Sequence, residues 1–252
     1  MINFFHKVRK QLADDNKPLK YMRYAIGEII LVVFGILIAL QFNNWNEDRN
    51  LKKEELKMLL ELNSVLKGGE LEGELEFQKS QLDRNIESQA SCEHIIKHFE
   101  ANLPYTDSLK FHFANAHTRY IALVRDQAYE NIKSYGFGFI QNDTLKEELI
   151  RAYETNTEWL LELNNRNNLY ENQIVLPSLT ALFESVFMVD IEEEKWMIPY
   201  NYDALKGNTL YRNILKTTLL KRKEYLEYQE VRYNRLLIVH ELLKKEIEAY
   251  GD

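Results

Sequence analysis

Between Tyr24 and Phe42 the chain reads YAIGEIILVVFGILIALQF, nineteen residues in which Glu28 and Gln41 are the only strongly polar side chains. At ~1.5 Å rise per residue a helix of this length spans roughly 28 Å, close to the hydrocarbon thickness of a bilayer. The run is too long and too uniformly apolar for the buried helix of a soluble domain. Tyr21 and Tyr24 on one side and Trp45 on the other suit the aromatic belts found at the two membrane interfaces. The expectation is a single transmembrane helix over residues 21–45, with the lipid bilayer as its first partner.

The flanking charge orients it. Lys7, Arg9, Lys10, Lys17, Lys20 and Arg23 precede or open the span, whereas Arg49, Lys52, Lys53 and Lys57 follow it among acidic neighbours. An excess of Lys and Arg on the N-terminal side places that side in the cytoplasm. LIALQF offers no small-x-small cleavage site, so the segment reads as an uncleaved signal anchor. The resulting organisation is a cytoplasmic tail over 1–20, a transmembrane helix over 21–45 and an extracytoplasmic domain over 46–252. In a cell with two membranes that domain is periplasmic.

Glu28, Val32, Gly35 and Ala39 recur at steps of 4, 3 and 4 and therefore share one helix face. Gly35 and Ala39 form a small-xxx-small pair, which lets another helix approach closely. The expected partner is a second copy or another membrane protein. A carboxylate inside a span is costly and is a functional candidate by default. Glu28 sits about five residues, or ~8 Å, from the centre of the span, nearer the cytoplasmic edge than a proton-carrying site would be. A polar contact between helices or at the interface is the favoured reading, and ion coupling through Glu28 the competing one.

Beyond the span the pattern is helical. With 9 Gly and 4 Pro in 252 residues there is little material for a loop-rich or all-β fold. Leu51, Glu55, Met58, Leu62 and Val65 form one stripe of an amphipathic helix, and KGG at 67–69 offers a stop. A second helix is expected over 71–99 on Leu71, Leu75, Leu82, Ile86, Ile96 and Phe99. Residues 128–135 should form a short helix closed by Gly136. Asn142, Asp143 or Thr144 should cap the next, with Glu147 or Glu148 placed for a reciprocal bond. That helix runs to about 176, where Pro177 kinks or ends it. An apolar helix over 179–189, an irregular connection over 190–208 and a long helix over 209–250 complete the chain. Arg222, Gln229 and His240 interrupt the 4-3 apolar spacing of the last helix, which favours a bundle helix over a pure coiled coil. The fold class is all-α: one N-terminal transmembrane helix, then a helical bundle with a long C-terminal helix.

Two stretches carry a resemblance. LADDNKPLKYMRYAIGEIILVVFGILIALQFNNWNEDR, residues 12–49, resembles the opening of an uncharacterised family of single-pass membrane proteins abundant in flavobacteria and their relatives. AYENIKSYGFGFIQNDTLKEELIRAYE, residues 128–154, is similar to that family's second marked block, with Ile132 at a position usually held by Leu. The resemblance extends over essentially the whole chain. It implies an inner-membrane location in a two-membrane bacterium and imports no activity.

Little else carries chemistry. Residues 46–252 hold 26 basic and 36 acidic side chains, a net charge of −10, which disfavours nucleic acid as a partner. Cys92 is the only cysteine, so there is no internal disulfide and no thiolate metal cluster. It reads as a small apolar residue, with an intermolecular bridge as the alternative. His94 and His98 lie four apart, and His112 and His117 join them in a metal site only where the fold brings them close. No metal, cofactor or catalytic residue is expected, and no nucleophile elbow or phosphate loop occurs. The tyrosines Tyr225, Tyr228 and Tyr233 read as core or boundary residues, with a small-molecule pocket among them as the alternative. The functional expectation is a membrane-anchored helical scaffold or interaction protein, not an enzyme, that self-associates or joins an inner-membrane complex. The alternatives are a periplasmic ligand-sensing module, with a small-molecule pocket at the 190–208 connection, and an ion-coupled subunit.

Overall fold

A computed structural model describes residues 18–69, 72–118, 122–187 and 196–250. Residues 1–17 of the expected 1–20 tail, Leu71, and positions 188–195 of the 179–189 helix and 190–208 connection lie outside the described residues, as do the side chains of Tyr21 and Tyr24. The chain divides into two compact units, Met1–Glu55 and Leu56–Asp252.

The described part of the first unit is helix, the beginning of α1 (Pro18–Lys67). Among the described residues of that unit its apolar side chains are left exposed. Ile29, Leu31, Phe34, Leu37 and Phe42 are all more than half exposed.

The second unit is a helical bundle. It comprises the end of α1, then α2 (Glu74–Glu100), α3 (Leu109–Ala116), α4 (Gln127–Tyr135), α5 (Asp143–Ile150), α6 (Asn156–Tyr170), α7 (Leu176–Leu182), α8 (Tyr202–Gly207) and α9 (Thr209–Ala249). The all-α fold class holds. The turn between α1 and α2 depends on glycine: a Cβ on Gly73 would collide with the Lys67 carbonyl and the Gly68 nitrogen. Gly136 ends α4 at φ +84°, where an L side chain is strained. Asn142 is the residue that caps α5, its side chain accepting from the Leu145 N–H at 3.0 Å. That settles the choice among Asn142, Asp143 and Thr144, whereas Glu147 and Glu148 turn to Arg151 at 3.3 and 3.1 Å instead of back to the cap.

Pro177 neither ends nor breaks its helix. A π-turn at Glu171–Val175 joins α6 to α7, and a second, Arg151–Thr155, joins α5 to α6. The wider π spacing just before Pro177 accommodates a ring that would otherwise strike the carbonyl four residues back. Residues 143–182 therefore form one near-continuous rod.

Two expectations are corrected on either side of residues 188–195. The helix expected over 179–189 stops at Leu182, and Phe183–Phe187 is strand β1, paired antiparallel with β2 (Trp196–Pro199). Phe183 and Met197 are buried in the same core, so tertiary pairing decides between helix and strand in a short apolar run. The 190–208 connection likewise contains β2 and α8.

Besides a small cluster of Leu160, Leu163 and Tyr225, two large apolar cores result. One joins the end of α1 (Met58, Leu59, Leu62, Leu66) to α4, α5 and the C-terminal part of α9 (Leu236, Val239, Leu243). Leu51, expected in that stripe, is half exposed. The other joins α2 (Cys92, Ile95, Phe99), α3, β1, β2, α8 and the start of α9 (Tyr211, Ile214, Leu215).

Candidate functional site

Between these cores, most of the buried side chains on α2 and several on α9 are polar. The stripe Leu75, Leu82, Ile86 does not describe the buried face of α2, for Ile86 is 45% exposed. The buried positions in that half are Glu74, Gln78, Leu82, Asn85 and Ser88. Their partners explain why. Glu74 Oε1 accepts from Arg232 Nη2 at 3.0 Å and from Gln78 Nε2 at 3.1 Å. Asn85 Nδ2 donates to Gln229 Oε1 at 2.9 Å, and Ser88 Oγ donates to the Asn115 carbonyl. Arg232 also donates from Nε to Thr157 Oγ1 at 3.2 Å, tying the ladder to α6. Burial raises the Glu74 carboxyl above its ordinary value, with Arg232 pulling the other way.

At the end of this ladder lies a polar cavity of about 60 Å³. Two parallel ridges wall it. On α9, Thr218, Lys221, Arg222 and Tyr225 follow helical spacing; on α6 and its π-turn, Asn164, Asn167, Asn168 and Glu171 do the same. Thr218, Asn164 and Tyr225 are buried and form the floor, while Asn167, Asn168, Glu171, Lys221 and Arg222 are half-buried at the mouth. Several groups are already held: Arg222 Nη2 donates to the carbonyls of Ala116 and Thr118 at 2.9 and 2.7 Å, and Lys221 Nζ donates to Asn167 Oδ1 at 3.3 Å. Thr218 Oγ1 is buried with no hydrogen-bond partner among the described residues. Burial pushes the Tyr225 hydroxyl up to about 12, so it serves as a neutral donor or acceptor.

This cavity is lined by none of the residues of the 190–208 connection, whose first part, 190–195, lies outside the described residues. Tyr225 lines it, whereas Tyr228 stacks on Trp159, ring centroids 6.0 Å apart. Two sequence signals pointed to the site. One is the polar seam of α9, where Arg222 and Gln229 both turn out to bond across the bundle. The other is LNNRNNLYEN, residues 163–172, five asparagines on a helix that gains nothing from them in propensity.

Three of the histidines, His94, His98 and His112, come together, and His117 does not join them. His94 stacks on His112 at 4.1 Å between ring centroids and lies 5.9 Å from His98. His112 Nδ1 is 3.2 Å from Ser91 Oγ, and His98 Nε2 is 2.8 Å from the Pro104 carbonyl. His117 is elsewhere, fully buried, with Nε2 3.2 Å from the Tyr211 hydroxyl. Burial pushes His117 down to about 3, which keeps it neutral. No group of three His, Cys, Asp or Glu side chains is placed to hold a metal ion among the described residues. Cys92 is fully buried and its thiol is pushed up to about 11 by burial, so no intermolecular bridge forms through it in this fold.

On α1, Glu28, Val32, Gly35 and Ala39 fall on one face of a continuous helix. Val32 is 55% exposed, and no atom lies within 4 Å of where a Gly35 Cβ would be. Trp45 is exposed, with the Arg49 guanidinium 6.0 Å from its ring centroid. The helix contains an 18-residue window of mean hydropathy 2.4, none of it buried; by length and composition it is able to cross a membrane.

A family of unknown function (DUF6090) matches residues 28–136, a little under half of the chain. The match takes in α1 from Glu28, all of α2 and α3, and α4 to its closing glycine. It is narrower than the resemblance read from the sequence, since α6 and α9, the two ridges of the cavity, lie beyond it. No curated protein and no solved structure matches the chain.

Proposed function

We propose that this chain is a single-pass inner-membrane protein of a two-membrane bacterium, with α1 as an uncleaved signal anchor. Its N-terminus is cytoplasmic and its helical domain periplasmic. It is a scaffold or interaction protein rather than an enzyme, and it associates with a second copy or another membrane protein. The observation that carries this reading is the contrast between the two units. The domain closes its apolar side chains into cores, whereas the window of mean hydropathy 2.4 on α1 has none of its residues buried. A helix in that condition needs an apolar solvent, and lipid is one. Gly35, with open space where a side chain would stand, leaves room for a second helix on the face of Glu28, Val32 and Ala39.

The two halves of the proposal, membrane placement and association, are tested separately. The protein should stay with membranes through alkaline carbonate washing. A membrane-impermeant maleimide applied to cells with a permeabilised outer membrane should label Asn50→Cys and not Asn3→Cys; the reverse pattern overturns the orientation. For association, Gly35→Leu should reduce the mass of the detergent-solubilised particle, and an unchanged mass removes the helix-packing claim. Glu28→Gln should preserve assembly if the residue makes a helix contact, while an ion-coupled role loses function with assembly intact.

A further inference from the structure

We infer that the cavity between α6 and α9 is a binding site for the head group of a small zwitterion, of the α-amino acid type. The inference does not depend on the membrane anchor. The cavity is asymmetric in charge: Lys221 and Arg222 stand on the α9 ridge, and Glu171 stands on the opposite ridge, at the start of the π-turn. A ligand in it meets two cations and a carboxylate, with Lys221 Nζ reaching Asn167 on the opposite ridge at 3.3 Å. Between them are the side-chain amides of Asn164, Asn167 and Asn168, groups that both donate and accept and so suit a carboxylate or an ammonium equally.

Size points the same way. A volume of about 60 Å³ holds roughly four to five water-sized groups, and the ammonium, Cα and carboxylate of an amino acid number five heavy atoms. The floor is buried and the mouth half-buried, so a side chain would project past the mouth. Within the floor, Thr218 Oγ1 has no hydrogen-bond partner among the described residues although the side chain is only 3% exposed. An unpaired buried hydroxyl is costly in the absence of a ligand or water. Thr218 lies one helical turn before Arg222 on the same ridge, where it would donate to the carboxylate the cations attract. The backbone supports the assignment, for π-turns inside helices concentrate at functional sites, and this one begins with the lining residue Glu171.

The test is thermal denaturation and calorimetric titration of the full chain in detergent with glycine, L-serine and L-glutamine. Acetate and methylammonium at equal ionic strength serve as half-ligands. At least one amino acid should raise Tm saturably while neither half-ligand does. Thr218→Val, nearly isosteric, and Glu171→Gln should each weaken that binding about tenfold, the loss of one hydrogen bond or charge contact to an ionised group. Circular dichroism confirms that both variants fold. Overturning results are no saturable effect from any of the three, an effect of either half-ligand equal to that of the amino acids, or undiminished binding in either variant.

Discussion

Arg232 on α9 donates from Nη2 to Glu74 Oε1 on α2 across 3.0 Å, with the two side chains exposed by 1% and 0%. Paired charges so deeply buried do not add much stability over an apolar pair of similar volume, because desolvation offsets most of their attraction. Breaking the pair is different. Arg232→Met leaves Glu74 buried with only Gln78 donating to it and removes the bond to Thr157 as well. It should destabilise the domain by about 3–5 kcal/mol in denaturant unfolding. Adding Glu74→Leu to the same chain should recover most of that loss. A double variant no better than the single one contradicts the account.

The ladder around that pair shows what a sequence reveals and what it conceals. The long helix after Asn208, the glycine stop at Gly136 and the Asn142 cap are local signals, set by residues within one turn of the feature, and they are legible. The buried face of α2 is not. Period-based reading assumes that apolar residues point inward, and there Ile86 points out while Glu74, Gln78 and Asn85 point in. The partners of Glu74 and Asn85, Arg232 and Gln229, are more than 140 residues away, so no local pattern announces the pairing. The same distance hid the cavity, although the asparagine run at 163–172 and the polar positions of α9 were its two halves. The helix-to-strand error at Phe183 has a similar source, since β1 exists only because β2 pairs with it.

Acid should unfold the domain through His117. Its imidazole is buried against Tyr211, and burial, with a smaller contribution from Arg222, holds its pKa at about 3 instead of 6.5. Because the unfolded chain binds the proton more readily between those values, stability is full above about pH 6.5 and falls as the pH drops through that window. Between pH 7.5 and pH 5 the loss from this group is about 2 kcal/mol. Equilibrium unfolding across that range measures it. His117→Gln, which keeps a side-chain donor for Tyr211, should flatten the dependence. His112, also lowered by burial and by His94 and His98, adds a smaller effect of the same sign.

Gly136 should be the most sensitive of the turn glycines in α4 and the turn that follows. At φ +84° and ψ 145° it occupies a region essentially reserved for glycine. A Cβ there meets no atom within 4 Å, so the penalty for Gly136→Ala is conformational and not steric. The expected cost is about 1–3 kcal/mol. Gly138→Ala, two residues on with equal space and no positive φ, should change stability by less than about 1 kcal/mol. Comparing the two midpoints separates strain from crowding.

Cys92 provides a reporter of how this bundle opens. Its sulfur is fully buried on α2, 3.6 Å from the Ala116 carbonyl, in the core shared by α2, α3 and the start of α9. Burial pushes the thiol up to about 11, so at neutral pH almost none is thiolate, the form that reacts. Alkylation of the native chain should therefore be slow and should track opening of this core, not collision with the reagent. The rate should rise steeply through the denaturant transition, and Phe113→Ala, which hollows the same core, should raise it in the absence of denaturant. Labelling of the unperturbed protein at the rate of an exposed thiol would contradict the packing of α3 over α2.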